Sequence, residues 1–296
     1  MDAEKRRREL PKALSYKLYR RASLLASDSK AFGFLLDGAQ KLRGRDGTRE
    51  ARAFYRENVA REESVASFLA DERSREIYRA LIAYRCRRKR ADINPHMQPK
   101  RTSYLDRELV IPGEGEVFID VGACGGESSL AFQAHCVSAG RPAPLCALFE
   151  PDAFNFSRLR KNLPKFMKAP VCFQMGLWRE AGECNFIPGA FSSSRMEPSG
   201  KGRISVDSLD HILETLPGLP PPTYIKIDVE GADLDALIGA RETIRRYLPR
   251  IAVAIYHSNE HMLSIPEYLH ELCPAYRFYI RHYCCVESET VLYCVA

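Results

Sequence analysis

Three stretches of the chain place ionisable side chains where they could do chemistry. In EVFIDVGACGGESS (116–129) an apolar run ends in Asp120, a turn containing Gly122, Cys124, Gly125 and Gly126 follows, and a helix-forming stretch begins. Ligands of open α/β sheets bind beyond the carboxyl ends of strands, where glycines let them approach the backbone and helix amides favour negative groups. The glycine spacing is neither the G-x-G-x-x-G of dinucleotide sites nor the G-x-x-x-x-G-K-[ST] of phosphate loops. An acidic strand end suits a cofactor carrying an ammonium or sulfonium charge, which Asp120 would attract directly or through water. In LFEPD (148–152), Glu150 ends the next apolar run, and a carboxylate there can accept hydrogen bonds from both hydroxyls of a ribose. In YIKIDVEGADLDALIGA (224–240), Lys226, Asp228 and Glu230 alternate with apolar residues. Period two puts the three on one face, which means either a salt bridge from Lys226 to Asp228 or Glu230, or function.

Two histidines join these candidates. His257, at the end of IAVAIYH (251–257), falls beside the expected Asp228 strand end, and a neutral imidazole there could act as a general base. His282 is a second imidazole for the same cleft, with packing inside the aromatic YRFYIRHY (276–283) as its alternative. Ser192–Ser194 could hydrogen-bond sugar hydroxyls or form a solvated loop. Asp228 and Glu230 offer magnesium no dedicated oxygen cage, so no metal is expected. Base flipping and methylation of a nucleic-acid amine usually call for Asp/Asn-Pro-Pro-Tyr/Phe at the corresponding strand end, whereas this chain has Asp228-Val229-Glu230-Gly231.

The elements that must hold these groups follow from periodicity. Strands are expected at 116–121, 145–150, 171–178, 224–229, 251–257, 276–283 and 289–296, with helices at 127–139, 153–166 and 232–248 between them. That alternation predicts an α/β fold with a mainly parallel sheet, the last two strands pairing antiparallel at one edge. Before it, residues 48–85 read as helical, and Asp71 is placed to cap a helix through Ile77, Leu81 and Tyr84. Charge marks the same division. Residues 1–101 hold 26 Lys and Arg against 14 Asp and Glu, while the whole chain is +6, so the remainder is acidic. We therefore expect a basic α-helical region over 1–100 and a cofactor-binding domain over 101–296.

Composition narrows the class further. At 296 residues, 45% hydrophobic and 28% charged, the chain can build a sizeable core and is neither fibrous nor of low complexity. No apolar run reaches the ~18 residues of a membrane span, and the basic start lacks the apolar stretch of a secretory signal, so a cytoplasmic location is expected. The ten cysteines form no Cys-x-x-Cys pair and read as free thiols. The clusters EKRRR (4–8) and CRRKR (86–90) suit a solvated helical surface or contact with an anionic surface or substrate; no RNA-binding aromatic motif accompanies them.

Taken together, the motifs resemble the FkbM-type S-adenosylmethionine-dependent methyltransferases. The resemblance runs through FLADERSREIYRALIAYR (68–85), EVFIDVGACGGESSLAF (116–132), FEPD (149–152), VDSLD (206–210), YIKIDVEGADLDALIGA (224–240), AIYHSNEHMLSIPEYL (254–269) and FYIRHY (278–283). It implies a class I, Rossmann-like methyltransferase fold with a seven-stranded sheet whose last strand is antiparallel. It also implies S-adenosylmethionine as cofactor and O-methylation of a sugar or natural product. Carried over by position, Asp120, Gly122 and Gly126 line the methionine end of the cofactor, Glu150 the ribose, and Asp228 the methyl-transfer region. Cys124 stands where many relatives have Asn, which alters a cofactor contact, and Ala254 lies near a common Glu, which removes an acidic acceptor-side role. His257 and Asp228 are then the expected catalytic residues. The expected acceptor is a glycan or small molecule, with a non-sugar metabolite or a non-catalytic binding module as the alternatives.

Overall fold

The frame of the molecule is a seven-stranded sheet, seen in a computed structural model that describes residues 47–163, 167, 170–187, 195–196, 200, 202–216 and 218–296. Its strands are β1 (Val117–Val121), β2 (Leu145–Phe149), β3 (Val171–Phe173), β8 (Tyr224–Ile227), β9 (Arg250–Ala254), β10 (Arg277–His282) and β11 (Thr290–Val295), in the order β10-β11-β9-β8-β1-β2-β3. From β3 to β9 every pair is parallel. β11 runs antiparallel to both β9 and β10 and is inserted between them. Four further strands, β4 (Gly176–Leu177), β5 (Gly182–Ile187), β6 (Arg195–Met196) and β7 (Gly202–Asp207), make a second, small sheet in the order β4-β7-β5-β6. The expected strand 171–178 is therefore two: its first half edges the main sheet and its second half enters the small one.

Alternation along the strands builds two apolar layers. Ile119, Val121, Ala147, Phe149, Ile225, Ile227, Ile251 and Val253 face one side, and Phe118, Leu148, Tyr224, Ala252 and Tyr293 the other. The first layer also contains Val65, Ile77, Tyr78, Leu81 and Tyr84 from helices Val59–Phe68 and Glu72–Arg87, and Leu69 between them. These helices lie along β10: Ala70 N donates to Phe278 O (2.8 Å), and the buried Arg281 guanidinium lies 2.8 Å from Asp71 Oδ2. Asp71 also caps its helix as expected, accepting from Ser74 N at 2.7 Å. The expected helix 232–248 is divided at Gly239 and Ala240 into Asp233–Ile238 and Arg241–Tyr247, and glycine is needed at 239 because a Cβ there would stand 1.9 Å from Trp178 O. No helix among the described residues is long and apolar enough to cross a membrane.

Candidate active site

Because β2, β1, β8 and β9 are parallel and adjacent, the turns that leave them gather along one edge of the sheet. The turn after β1 is shaped by left-handed residues: Gly122 (φ 76°), Cys124 (φ 50°) and Gly126 (φ 87°). A Cβ at Gly122 would lie 2.0 Å from Asp228 O, so only glycine lets this turn rest against the end of β8. At Gly126 a Cβ would meet Leu163 at 2.6 Å, and helix Glu127–Ser138 begins immediately afterwards. Cys124 tolerates a positive φ poorly, which is the physical reason an Asn would sit more comfortably there. Burial pushes its thiol up to about 11.

Glu150 ties two of these turns together. Its Oε2 accepts from Cys124 N (2.8 Å) and its Oε1 from Asp152 N (2.9 Å). Burial raises its carboxyl above the usual range, although those amides pull the other way. Asp152 in turn caps the following helix through Phe154 N and Asn155 N.

Asp120 and Lys226 lie side by side in the sheet register, on the same face, and both are buried. Lys226 Nζ stands 3.2 Å from Asp120 Oδ1 and donates to Val121 O (3.1 Å) and Gly122 O (2.8 Å); Ser129 Oγ donates to Asp120 Oδ2 (2.7 Å). The expected bridge from Lys226 to Asp228 or Glu230 is thus replaced by one to Asp120. The register explains this, since pairing 120 with 226 brings the two side chains together while β8 ends at Ile227. Asp120 accordingly lies beneath the glycine turn, with its charge balanced inside the protein.

Beyond β8 the groups are differently arranged. Asp228 and Glu230 are partly exposed, at 23% and 32%. Tyr256 OH donates to Asp228 Oδ1 (3.2 Å), and His257 Nε2 lies 3.4 Å from the same oxygen and 3.8 Å from Glu230 Oε2. His257 Nδ1 is bonded at 2.7 Å to Asp233 Oδ2. Asp233 is fully buried and also accepts from Val229 N (3.0 Å) and Gly231 N (3.1 Å). His257 is therefore not the lone neutral imidazole read from the sequence. Burial would lower its proton affinity, but Asp233 and Asp228 outweigh that and hold it well above the usual imidazole range. Burial likewise works against the charged form of Asp228, yet His257 and Lys226 keep its carboxyl below the usual range. Partial desolvation and repulsion by Asp228 push Glu230 up to about 8.

The segment before β1 closes over this end: Gln98 N donates to His282 O (2.8 Å), and Lys100 Nζ pairs with Glu289 Oε1 (3.1 Å). His282 itself does not face the cleft. It is fully buried, with Nδ1 on Thr290 Oγ1 (2.9 Å), and burial lowers it to about 4. Ser192–Ser194 and the cluster at 4–8 lie outside the described residues. Asp233 and His261 escaped the reading of the sequence, although the four-residue step from His257 to His261 was a visible signal.

A methyltransferase FkbM domain matches residues 120–278, more than half of the chain, from the end of β1 to the start of β10. The chain belongs to the FkbM methyltransferase family. Its structure is similar to that of the methyltransferase FkbM from Methylobacillus flagellatus KT, with a TM-score of 0.69 and 24% identity over 82% of this chain and 60% of that one. In sequence it is 27% identical over 100 residues to the hexuronic acid methyltransferase AglP of Haloferax volcanii, a match covering 33% of this chain and 41% of that protein. The matches therefore span less than two thirds of either relative's length.

Proposed function

We propose that this FkbM-family protein is an S-adenosylmethionine-dependent O-methyltransferase acting on a sugar hydroxyl, with hexuronic acids among the first acceptors to try. The carrying observation is the placement of Asp228, whose backbone carbonyl packs against the Gly122 turn and whose carboxylate is partly exposed, at the same sheet edge as the buried Glu150. The similarity to the hexuronic acid methyltransferase AglP supplies the suggestion of a hexuronic acid.

The residues fit such a cofactor. Gly122 and Gly126 keep side chains off the turn, and the first-turn amides of the 12-residue helix Glu127–Ser138 favour a carboxylate. Each Glu150 oxygen receives one backbone amide and keeps lone-pair capacity for a ribose hydroxyl. When bound, S-adenosylmethionine supplies an electrophilic methyl group on a sulfonium. The chain's own work is to orient the acceptor, exclude water and take away the hydroxyl proton. A hydroxyl oxygen becomes strongly acidic as it gains a methyl group, so a weakly basic carboxylate suffices to receive its proton. We assign that role to Asp228. His257, with Nδ1 committed to Asp233 and Nε2 toward Asp228, and the Tyr256 hydroxyl hold that carboxylate in place.

Calorimetric titration of the protein with S-adenosylmethionine tests the cofactor half, with NAD as control. Glu150→Gln should weaken binding at least about tenfold, the value of one hydrogen bond to a charged acceptor. Equal affinity in wild type and variant would remove Glu150 from the ribose site. Saturable binding without methyl transfer to any acceptor would favour a non-catalytic module.

A further inference from the structure

We propose that Asp233, His257 and His261 form a binding site for a divalent transition-metal ion of the zinc class. Three donor atoms, one from each residue, lie within 4.8 Å of one another. Asp233 Oδ2 is 2.7 Å from His257 Nδ1 and 3.7 Å from His261 Nδ1. The longer gap exceeds a hydrogen bond, yet it is close to the ~3.4 Å that separates two ligand atoms held ~2.1 Å from one tetrahedral ion.

Two further observations point into this site. The first is His261 Nδ1, which is buried and makes no hydrogen bond. A buried imidazole nitrogen left in this way costs free energy that a ligand would recover. The second is the support behind Asp233: backbone amides of Val229 and Gly231 aim its fully buried carboxylate, in the way outer hydrogen bonds fix metal ligands.

Position and chemistry agree. His257 follows β9 and His261 opens helix His261–Leu272, so the spacing is H-x₃-H across a turn, one of the spacings of zinc sites. Two imidazoles and one carboxylate suit zinc and its first-row neighbours, whereas magnesium prefers an all-oxygen shell. The ion replaces the proton on His257 Nδ1, which leaves to solvent, while Asp233 remains a carboxylate. It joins three segments: the turn after β8, the end of β9 and the start of the following helix. His257 Nε2 keeps its place toward Asp228, so the ion shares His257 with the proposed methyl-transfer site, while its binding is read without cofactor or acceptor.

The test uses the full-length protein, stripped with a chelator and dialysed. Calorimetry with Zn²⁺ should show one site that Mg²⁺ does not fill, and Co²⁺ should give visible d–d bands without thiolate-to-metal charge transfer. His261→Gln should weaken Zn²⁺ binding at least about tenfold while melting at the wild-type temperature in chelator. Unchanged Zn²⁺ affinity in His261→Gln would overturn the site. Charge-transfer bands from thiolate on the wild-type protein would also overturn it, by placing the ion on cysteine.

Discussion

The two halves of the sheet edge are built on opposite plans. Around the turn after β1, every charge has an internal answer: Asp120 meets Lys226 and Ser129, and Glu150 meets two backbone amides. Around the turn after β8, five ionisable groups crowd together, with Asp228 and Glu230 partly exposed, and His257 Nε2 and His261 Nδ1 lack hydrogen bonds. In the proposed function the first half holds the cofactor through lone pairs and amides that stand beside charges already paired within the protein. The second half, which has to take up a proton or an ion, keeps groups under-satisfied, at some expense in stability.

Substitutions sharpen this contrast. On the second half, Asp228→Asn should lower turnover by ~10²–10⁴-fold, the usual contribution of a positioned base, with unfolding in urea little changed. An equal loss of stability and activity would erase the distinction. On the first half, Lys226→Ala should destabilise by about 3–5 kcal/mol in the same urea measurement, because Asp120 is left buried and unpaired. A shift below 1 kcal/mol would show that the pair is not holding the turn.

The buried His282 supplies an acid-side comparison far from either turn. Its folded-state value of about 4 lies below the ordinary 6.5, so the unfolded chain takes up the proton first. The stability it allows is complete above pH 6.5 and falls away as the pH drops toward 4, by about 3 kcal/mol in all. Wild type and His282→Gln, unfolded in urea at pH 7 and pH 4.5, should therefore differ in their acid loss; parallel losses would contradict the assignment. The smallest expected change is that of His257→Ala, which should reduce turnover at least about tenfold and leave cofactor affinity nearly the same. Unaltered turnover on a true acceptor would remove His257 from the support of Asp228.

The contrast also explains what could be read from the sequence. Strands such as VFIDV and YIKI declare themselves because buried parallel strands are continuous apolar runs, and the Asp71 cap because its partner is three residues away. The second sheet was hidden: β5 reads GECNFI, and among the described residues the sheet's own core is Phe186, Ile204 and Val206. Lys226 and Asp120 are 106 positions apart, and only the register between β1 and β8 makes them neighbours. Gly122 and Gly126 could be assigned to a turn, and Glu150 to a strand end, because the needs of such positions are local. The surroundings of His257 could not, since Asp233 reaches it from another strand's turn.

The insertion of β11 between β9 and β10 has a consequence for how the protein is made. During synthesis the ribosome delivers β9 and β10 first, and neither can pair with the other directly, because the place between them belongs to a strand that has yet to emerge. The helices of 59–87 dock against β10, so their seat too is assembled late although they are among the earlier parts of the chain to be translated. Thr290–Val295 acts as a keystone: two strands and a pair of helices are locked by six residues that arrive after them.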